Sequence, residues 1–327
     1  MECQACGEGV SSKPIDRHEN YKLYHCQVCD LMFWYPMEGT DPEWYEVPLD
    51  LTPFRPVQLA YWGQSQFLKD MPAQGGRLLD IRCGMGDFLF CAQKADYSVT
   101  GIDFSPKFID IARQRFGFEE LYSLTLDEFV AEKPQNRYDV ITFFDVLEHL
   151  DDISGFLQSV KGLLNPWGHV ACRVPNRERW RFQSPSEEWD YPPKHFTRWN
   201  CDALTALFDN HGFSISAIKT QPLVSLDRGW FSLVSSRLGI YQLSLVLAKR
   251  LRVRSIDETG ITQRSMFSMI SGIMIKMGVR FYIKALLPFL GLVTLPLWLL
   301  LRRQGSEIYL LARLVSNEKD LSLVDTR

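Results

Sequence analysis

The stretch RLLDIRCGMGDF, residues 77–88, joins a run of strand-forming residues to a glycine-containing turn. Glycines in a strand-to-helix turn let the backbone approach a ligand closely, and the N-terminus of the next helix offers N–H donors that the helix does not use. Gly84 and Gly86 stand correctly for this role, but Arg82 occupies a position where a glycine would be expected. The stretch therefore predicts the first strand and ligand-binding turn of an α/β fold, with one departure that needs an explanation.

The residues after this turn alternate between short β-rich runs and helical patterns, which is typical of a parallel sheet covered by helices. We predict an α/β, doubly wound, Rossmann-like fold, with strands at 77–81, 98–103, 121–124, 138–144, 168–174, 213–220 and 306–315. Helices are predicted near 86–95, 106–115, 126–132, 153–164 and 201–211. The sheet is therefore predicted to have seven strands, with a long insertion before the last one.

The composition is that of a globular protein, with 46% hydrophobic residues, 23% charged residues and a net charge of -3 over 327 residues. Such a small net charge gives no electrostatic reason to expect a nucleic-acid partner. The N-terminal sequence MECQACGEGV lacks the basic segment and apolar run of a secretory signal. We therefore expect a cytoplasmic location.

Four of the eight cysteines form two close pairs, Cys3 with Cys6 and Cys26 with Cys29. Two C-x2-C pairs at this separation match a four-cysteine zinc ribbon, since thiols in a reducing compartment stay free to bind metal. The pairs therefore predict a structural Zn²⁺, because four thiolates leave no coordination position open for water. Four unrelated thiols are the alternative.

Two acidic residues flank the glycine turn at the ends of the first two predicted strands. Asp103 stands where a carboxylate would accept hydrogen bonds from both hydroxyls of a ribose. Nicotinamide dinucleotides and S-adenosylmethionine both fit such a site. A dinucleotide fingerprint would have a third glycine at position 89, which is Leu89, whereas Asp80 could face the ammonium group of S-adenosylmethionine. These residues favour S-adenosylmethionine.

Four motifs, LLDIRCGMGDFL, VTGIDFSP, YDVITFFDVLEHLDD and LLNPWGHV, together resemble class I S-adenosylmethionine-dependent methyltransferases. The likeness covers roughly 57–220 and resumes at the last strand, and VLEHL is similar to the branch of ubiquinone-type O-methyltransferases and many sugar methyltransferases. The resemblance implies the methyltransferase type of seven-stranded sheet. It also implies a set of cofactor-binding residues: Asp80, Cys83, Gly84 and Gly86 at the methionine end, Asp103 at the ribose, Phe104 beside the adenine, and Phe144 and Asp145 closing the pocket.

Members of this family usually carry glycine where this chain has Arg82. The Arg82 side chain could turn away from the pocket, or its guanidinium could pair with the cofactor carboxylate, for which arginine is well suited. An eroded, inactive site is the third alternative. Because the acids and glycines around the turn are all present, we expect an intact cofactor site that includes Arg82.

Methyl transfer to a hydroxyl requires a group that takes up its proton, because the methyl donor is already activated. His195 is the predicted catalytic base, since it lies in a polar and aromatic loop after the fifth strand, at the edge where doubly wound sheets bind ligands. The resembling family often has a proline-histidine element here. The alternative is that His195 pins the loop by hydrogen bonds, and His149 of VLEHL is expected to be structural.

The sequence divides into four regions. We predict a zinc ribbon at 1–35, a proline-rich linker at 36–56, a methyltransferase domain at 57–221 and 305–316, and a hydrophobic helical insertion at 222–304.

The insertion contains ALLPFLGLVTLPLWLLL, residues 285–301, which has no charged residue and is flanked by basic ones. As a helix it would reach about 25 Å, short of a bilayer core of about 30 Å, and two prolines would kink it. The chain must also return to its sheet, which forbids a single crossing. Residues 266–303 are therefore predicted to form a re-entrant or interfacial hairpin at the inner face of a membrane, with a buried helical subdomain or dimer interface as the alternative.

Taken together, these features predict an S-adenosylmethionine-dependent methyltransferase that O-methylates a small-molecule, sugar or lipid-linked acceptor. A nicotinamide-dependent oxidoreductase is one alternative, and a non-catalytic scaffold with a degenerate cofactor site is another. The sequence gives no indication of oligomeric state.

Overall fold

The computed structural model describes residues 1–10, 13–38, 57, 59, 61–71, 75–179, 190–222 and 305–315. The predicted linker from residue 39 and the predicted insertion from residue 223, including the apolar segment 285–301, lie outside the described residues. Within the described ranges, no helix combines the length and the hydropathy needed to cross a lipid bilayer. The four predicted domain boundaries therefore remain predictions.

The strands form two sheets. Their bounds in chain order are β1 Asp16–His18, β2 Tyr21–His25, β3 Met32–Tyr35, β4 Arg77–Ile81, β5 Ser98–Ile102, β6 Leu121–Tyr122, β7 Tyr138–Phe144, β8 Leu164–Pro175, β9 Thr197–Arg198, β10 Phe213–Thr220 and β11 Glu307–Leu314. The larger sheet has the order β10-β11-β8-β7-β4-β5-β6, and the smaller one has the order β1-β2-β3-β9.

The larger sheet confirms the predicted doubly wound α/β fold. Strands β4 to β8 pair in parallel, while β11 is antiparallel to both of its neighbours, β8 and β10. The chain order reverses between β4 and β7, so the carboxyl ends of β4 and β5 border the crevice in which such sheets bind ligands. The predicted sixth and seventh strands both belong to this sheet, where β10 and β11 are hydrogen-bonded neighbours over most of their length.

The helices lie close to their predicted positions. Their bounds are α1 Trp62–Asp70, α2 Asp87–Lys94, α3 Pro106–Phe116, α4 Leu126–Glu132, α5 Ile153–Leu163 and α6 Cys201–Asn210, with a short 3-10 helix at Leu147–His149. Three of them begin at side-chain caps: Thr125 accepts from the Glu128 N–H, Asp152 from the Gly155 N–H, and Asn200 from the Ala203 N–H.

One strand is shorter than predicted. The run 121–124 contributes only Leu121–Tyr122 to the sheet, because the chain turns out of it to reach the helix cap at Thr125. Leu124 and Thr125 instead line a cavity beside the sheet. Propensity alone could not separate the paired residues from the two that leave.

The small sheet is not made from the N-terminal segment alone. Its fourth strand, β9, comes from the chain after β8 and pairs with β3 through Met32 and Phe33. Leu31 and Phe33 belong to the same buried cluster as Ile141 of the large sheet. The N-terminal segment is therefore packed into the core that supports the large sheet.

Candidate active site

The turn after β4 has two glycines in the left-handed conformation, Gly84 with φ +53° and Gly86 with φ +80°. A β-carbon at Gly86 would lie 3.1 Å from the Ala112 Cβ, so Gly86 lets α2 start against α3. A β-carbon at Gly84 would meet nothing within 4 Å. Gly84 therefore presents open backbone, as a surface for a ligand requires.

Arg82 also adopts a left-handed conformation, with φ +59°. This conformation costs a non-glycine residue roughly 1–2 kcal/mol, which explains in physical terms why glycine is the usual residue here. The Arg82 side chain lines the cavity described below, and its guanidinium carbon lies 5.0 Å from the centre of the Phe104 ring. Arg82 thus reaches along the cavity wall toward the position predicted to flank an adenine.

Asp103 stands at the end of β5 and organises the turn. Its carboxylate accepts one hydrogen bond from the Gly84 N–H at 3.0 Å and another from the Ser105 N–H at 2.9 Å. Burial raises the pKa of Asp103, while these two N–H groups and the positive charge of Arg82 act in the opposite direction. The carboxylate is thus oriented by the backbone, with lone pairs left over for a ligand.

Asp80, at the carboxyl side of β4, is only 3% exposed. The Thr142 hydroxyl donates to it at 2.6 Å. Burial raises the pKa of Asp80 to about 8, with a further contribution from the negative charge of Asp103. A buried carboxyl of this kind is poised to ionise when a positive group approaches, because the opposite charge offsets the desolvation of the carboxylate.

A cavity of about 360 Å³ opens at the carboxyl ends of β4 and β5, which is within the size range of small-molecule sites. Of the predicted cofactor residues, Arg82, Asp103 and Phe104 line it. The opposite wall is formed by residues after β6 and at the start of α5: Leu124, Thr125, Leu126, Asp127, Asp151, Asp152 and Ser159. The cavity therefore lies at the topological switch point of the sheet.

The 3-10 helix after β7 brings Glu148 and His149 next to His195. One ligand atom from each of the three side chains lies within 4.8 Å of the other two, and the His149 and His195 rings are 4.9 Å apart. Glu148 is 1% exposed, and neither of its carboxylate oxygens has a hydrogen-bond partner within the described part of the chain. Two imidazoles and a carboxylate at this spacing could hold a divalent cation, or could serve as proton acceptors.

The protonation of this cluster follows from its burial. Burial raises the pKa of Glu148 to about 8. Burial, together with the positive charges of His195 and Arg82, lowers the pKa of His149 to about 3. His149 Nδ1 lies 2.6 Å from the Lys194 carbonyl oxygen, which can only accept. Neutral His149 therefore carries its proton on Nδ1, so that its Nε2 is the acceptor nitrogen of the ring.

Comparisons with known proteins agree with this geometry. A family model described as "Methyltransferase domain" matches residues 55–218, half of the 327-residue chain. The chain belongs to this methyltransferase family. The family assignment agrees with the class of protein inferred from the four strand motifs.

Curated relatives match part of this methyltransferase-family chain. A ubiquinone biosynthesis O-methyltransferase of Proteus mirabilis is 34% identical over 109 residues, covering 32% of this chain and 44% of the relative. One of Xylella fastidiosa is 30% identical over 141 residues, covering 42% of this chain and 54% of the relative. The chain thus spans about half the length of the curated relatives it matches.

Solved structures of methyltransferases are similar at low sequence identity. An S-adenosylmethionine-dependent methyltransferase from Archaeoglobus fulgidus is 14% identical, with a TM-score of 0.45 over 76% of this chain and 92% of the other. A phosphoethanolamine N-methyltransferase 2 from Haemonchus contortus is 16% identical, with a TM-score of 0.43 over 77% of this chain and 52% of the other.

The chain carries a four-cysteine cluster in its N-terminal segment, ahead of the residues that the family model matches. The sulfur atoms of Cys3, Cys6, Cys26 and Cys29 all lie within 4.8 Å of one another, and the Cys3–Cys29 and Cys6–Cys26 sulfurs are each 3.5 Å apart. These separations fit the edges of a tetrahedron around Zn²⁺ with Zn–S bonds of about 2.3 Å. The residues present therefore fit the predicted structural zinc ion, which would hold both knuckle turns together.

The other six predicted cofactor residues are not among those that line the cavity: Asp80, Cys83, Gly84, Gly86, Phe144 and Asp145. Phe144 is buried edge-to-face against Phe88, with ring centres 4.9 Å apart. Asp145, with φ +56°, forms an ion pair with Arg173. Cys83 is buried beside the turn, and burial raises the pKa of its thiol. Contact of these residues with a cofactor remains a prediction.

The sequence analysis gave no role to Glu148. In the sequence Glu148 follows two apolar residues of VLEHL, a pattern that fits an exposed position at the start of a helix equally well. The loop sequence suggests Asp190 only as a residue that lines the acceptor site, and the structure places its carboxylate 3.8 Å from His195 Nδ1. Only the fold shows that these separated residues meet, because 3-10 geometry and loop closure are not encoded in a short motif.

Proposed function

We propose that this protein is an S-adenosylmethionine-dependent O-methyltransferase. The observation that carries the proposal is a single arrangement: an open glycine turn and the oriented Asp103 at the cavity, and the buried Glu148–His149–His195 cluster after the adjacent strand β7. The first part suits a nucleoside with a charged tail. The second suits the removal of a proton from an acceptor.

In this proposal the cofactor lies across the ends of β4 and β5. The Asp103 carboxylate accepts hydrogen bonds from the ribose hydroxyls, and Phe104 lies against the adenine. The open backbone at Gly84 lets the methionine end approach α2, whose N-terminal N–H groups favour its carboxylate. Asp80, ionised by the approach of the cofactor's ammonium group, supplies the opposite charge at this end.

The reaction is a direct displacement. The bound cofactor would supply an activated methyl group: the acceptor oxygen would bond to the methyl carbon as the carbon–sulfur bond breaks, and S-adenosylhomocysteine would leave with the electron pair. The hydroxyl proton passes to a base, for which we propose His195. Asp190 supports this role, because a carboxylate 3.8 Å from Nδ1 stabilises the imidazolium that forms.

The proposal also concerns the chemical class of the methyl acceptor. The names of the curated relatives favour a phenolic hydroxyl on a precursor of a quinone. The apolar segment 285–301 favours an acceptor that carries a lipid chain. A soluble sugar or other small molecule is the competing class.

The test is transfer of labelled methyl from S-adenosylmethionine to a panel of acceptors, containing a prenylated catechol, an unprenylated catechol and nucleotide-linked sugars. We expect labelled ether formation on a catechol, faster for the prenylated one. Labelling of sugars alone would show that the acceptor is a sugar, and the protein would still be a methyltransferase. Binding of NADH with no binding of S-adenosylhomocysteine would overturn the proposal in favour of an oxidoreductase, and binding of neither would favour a scaffold.

A further inference from the structure

We infer that the N-terminal four-cysteine sheet is a positioning element of the acceptor half of the site, and that Asp30 is the residue through which it acts. The inference rests on the proposed function, because it assigns a role to the segment that carries the proposed base His195. Four groups of contacts support it.

Asp30 is the first residue after the second cysteine pair and is tied to that knuckle. Its backbone N–H donates to the Cys26 carbonyl at 3.0 Å, and its φ is +66°. The conformation of Asp30 is thus fixed by the same turn that presents Cys26 and Cys29 to the metal. One oxygen of its carboxylate pairs with His25, next to Cys26, and the other contacts residues that follow β8 in the chain.

The Asp30 carboxylate gathers donors from both ends of the loop between β8 and α6. It pairs with the guanidinium of Arg177, just after β8, and accepts from the Asn200 side chain at 2.6 Å. Arg177 also donates to the Asp30 carbonyl oxygen. The Arg177 backbone N–H bonds the Trp199 carbonyl at 2.7 Å, which closes the base of the loop.

Strand β3 adds hydrogen bonds inside the loop, directly beside His195. The Trp34 N–H donates to the Phe196 carbonyl at 2.8 Å. The Phe196 N–H in turn donates to the Glu148 carbonyl at 2.7 Å. The residue after His195 is therefore held between the four-cysteine sheet on one side and the 3-10 helix of Glu148 and His149 on the other.

Aromatic and cationic side chains complete the contact. The Arg198 guanidinium carbon lies 5.2 Å from the Trp34 ring centre and 5.1 Å from that of Tyr191. His18 packs on Tyr191 with ring centres 4.6 Å apart. Stacked contacts of this kind favour one arrangement of a loop over its alternatives.

The contacts connect metal ligation to the acceptor chemistry in a continuous series. A closed zinc site fixes the knuckle, the knuckle fixes Asp30, and Asp30 holds both ends of the loop that places His195 against His149. Isolated exposed ion pairs contribute little, but Asp30 has several partners on one carboxylate, and Arg177 is only 13% exposed. Loss of the Asp30 charge should loosen the loop without opening the cofactor turn.

The test compares Asp30→Asn with the matched control Asp16→Asn, an exposed aspartate of β1 whose carboxylate accepts from the Arg17 N–H. Three quantities are measured on the full chain: zinc content, affinity for S-adenosylhomocysteine, and hydrogen exchange of peptides covering 190–200. For Asp30→Asn we expect unchanged zinc, cofactor-product affinity within twofold, and at least tenfold faster exchange at 190–200. The control should match the wild type in all three.

A second variant separates positioning from general damage. Arg177→Gln should also speed hydrogen exchange of the peptides covering 190–200. The double variant of Asp30→Asn and Arg177→Gln should exchange little faster than either single variant, because both substitutions remove the Asp30–Arg177 ion pair. With an acceptor identified, Asp30→Asn should lower kcat about tenfold and leave KM for S-adenosylmethionine unchanged.

Unchanged exchange at 190–200 in Asp30→Asn, in a protein that binds S-adenosylhomocysteine, would overturn the inference. Equal acceleration at 77–103, in the cofactor turn, would also overturn it by showing a merely structural role. Failure of the proposed function would look different, since the wild type itself would then not bind S-adenosylhomocysteine.

Discussion

The two halves of the candidate site are built in different ways. The cofactor half comes from consecutive strand ends, β4 and β5, with Gly84 and Asp103 already joined by a backbone hydrogen bond of 3.0 Å. The acceptor half is assembled from three distant segments, namely the 3-10 helix at 147–149, the loop containing His195, and the N-terminal sheet that holds this loop. One half therefore depends on local geometry, and the other depends on long-range packing.

This difference predicts that the two halves can be damaged separately. Substitutions in the cofactor half should weaken cofactor binding, and those in the acceptor half should slow turnover at unchanged cofactor affinity.

The largest effect is expected for the proposed base. His195→Ala should lower kcat by about 10²–10⁴-fold, because a positioned acid or base contributes that much to proton transfer. Affinity for S-adenosylhomocysteine should stay within twofold, as measured by calorimetry. The control is His211→Ala, at the end of α6, where the ring contacts Ser154 and the Leu207 carbonyl. Unchanged turnover in His195→Ala would remove this residue from the chemistry.

Asp103→Ala should damage the other half. Charge-assisted hydrogen bonds to the ribose contribute about 1.5–3 kcal/mol each, so we expect at least a hundredfold rise in the dissociation constant of S-adenosylhomocysteine. Asp110→Ala, an exposed aspartate of α3 paired with Arg113, serves as the control. Thermal melting checks that both variants are folded. Wild-type affinity in a folded Asp103→Ala protein would refute the proposed ribose contact.

The two halves also differ in how far the sequence predicted them. Asp80 and Asp103 lie at the ends of the first two predicted strands and the glycines follow the first one, so the fold and the cofactor half could be inferred from local patterns. The pairing of β9 with β3 could not be inferred in this way. The two residues of β9 carry no strand pattern, and the register between strands so far apart in the chain depends on packing. The meeting of Glu148, His149 and His195 depends on that packing.

The buried carboxyl of Glu148 gives a pH-dependent prediction for the acceptor half. Its pKa is raised from 4.5 when unfolded to about 8 when folded, so its proton is bound more tightly in the folded state. Its contribution to stability is complete below pH 4.5 and is lost as the pH rises through about 8. The melting temperature of the wild type should therefore fall between pH 6 and pH 8.

The melting temperature of Glu148→Gln should fall less between pH 6 and pH 8, because the amide does not titrate. Glu119→Gln, an exposed glutamate beyond α3, should keep the wild-type slope. Identical slopes in all three proteins would show that Glu148 does not titrate with a raised pKa in the folded state. Asp80 remains in every variant, so a residual slope is expected.

The smallest effect concerns Arg82, whose charge reaches both halves. The positive charge of Arg82 opposes the effect of burial on the pKa of Asp103 and of Glu148. Removing this charge should therefore raise both pKa values further. Arg82→Gly should therefore move the acidic limb of the pH–rate profile to higher pH. Arg82→Lys keeps the charge and should leave the limb in place. A limb that moves equally in both variants would show that the shape of Arg82 matters and that its charge does not.

The central claim is that the crevice at β4 and β5 binds S-adenosylmethionine. Calorimetric titration of the wild-type protein with S-adenosylhomocysteine, beside a parallel titration with NADH, tests it most directly. The account predicts saturable binding of one S-adenosylhomocysteine per chain and no heat of binding with NADH. A folded, zinc-loaded protein that gives no binding signal with S-adenosylhomocysteine would contradict it.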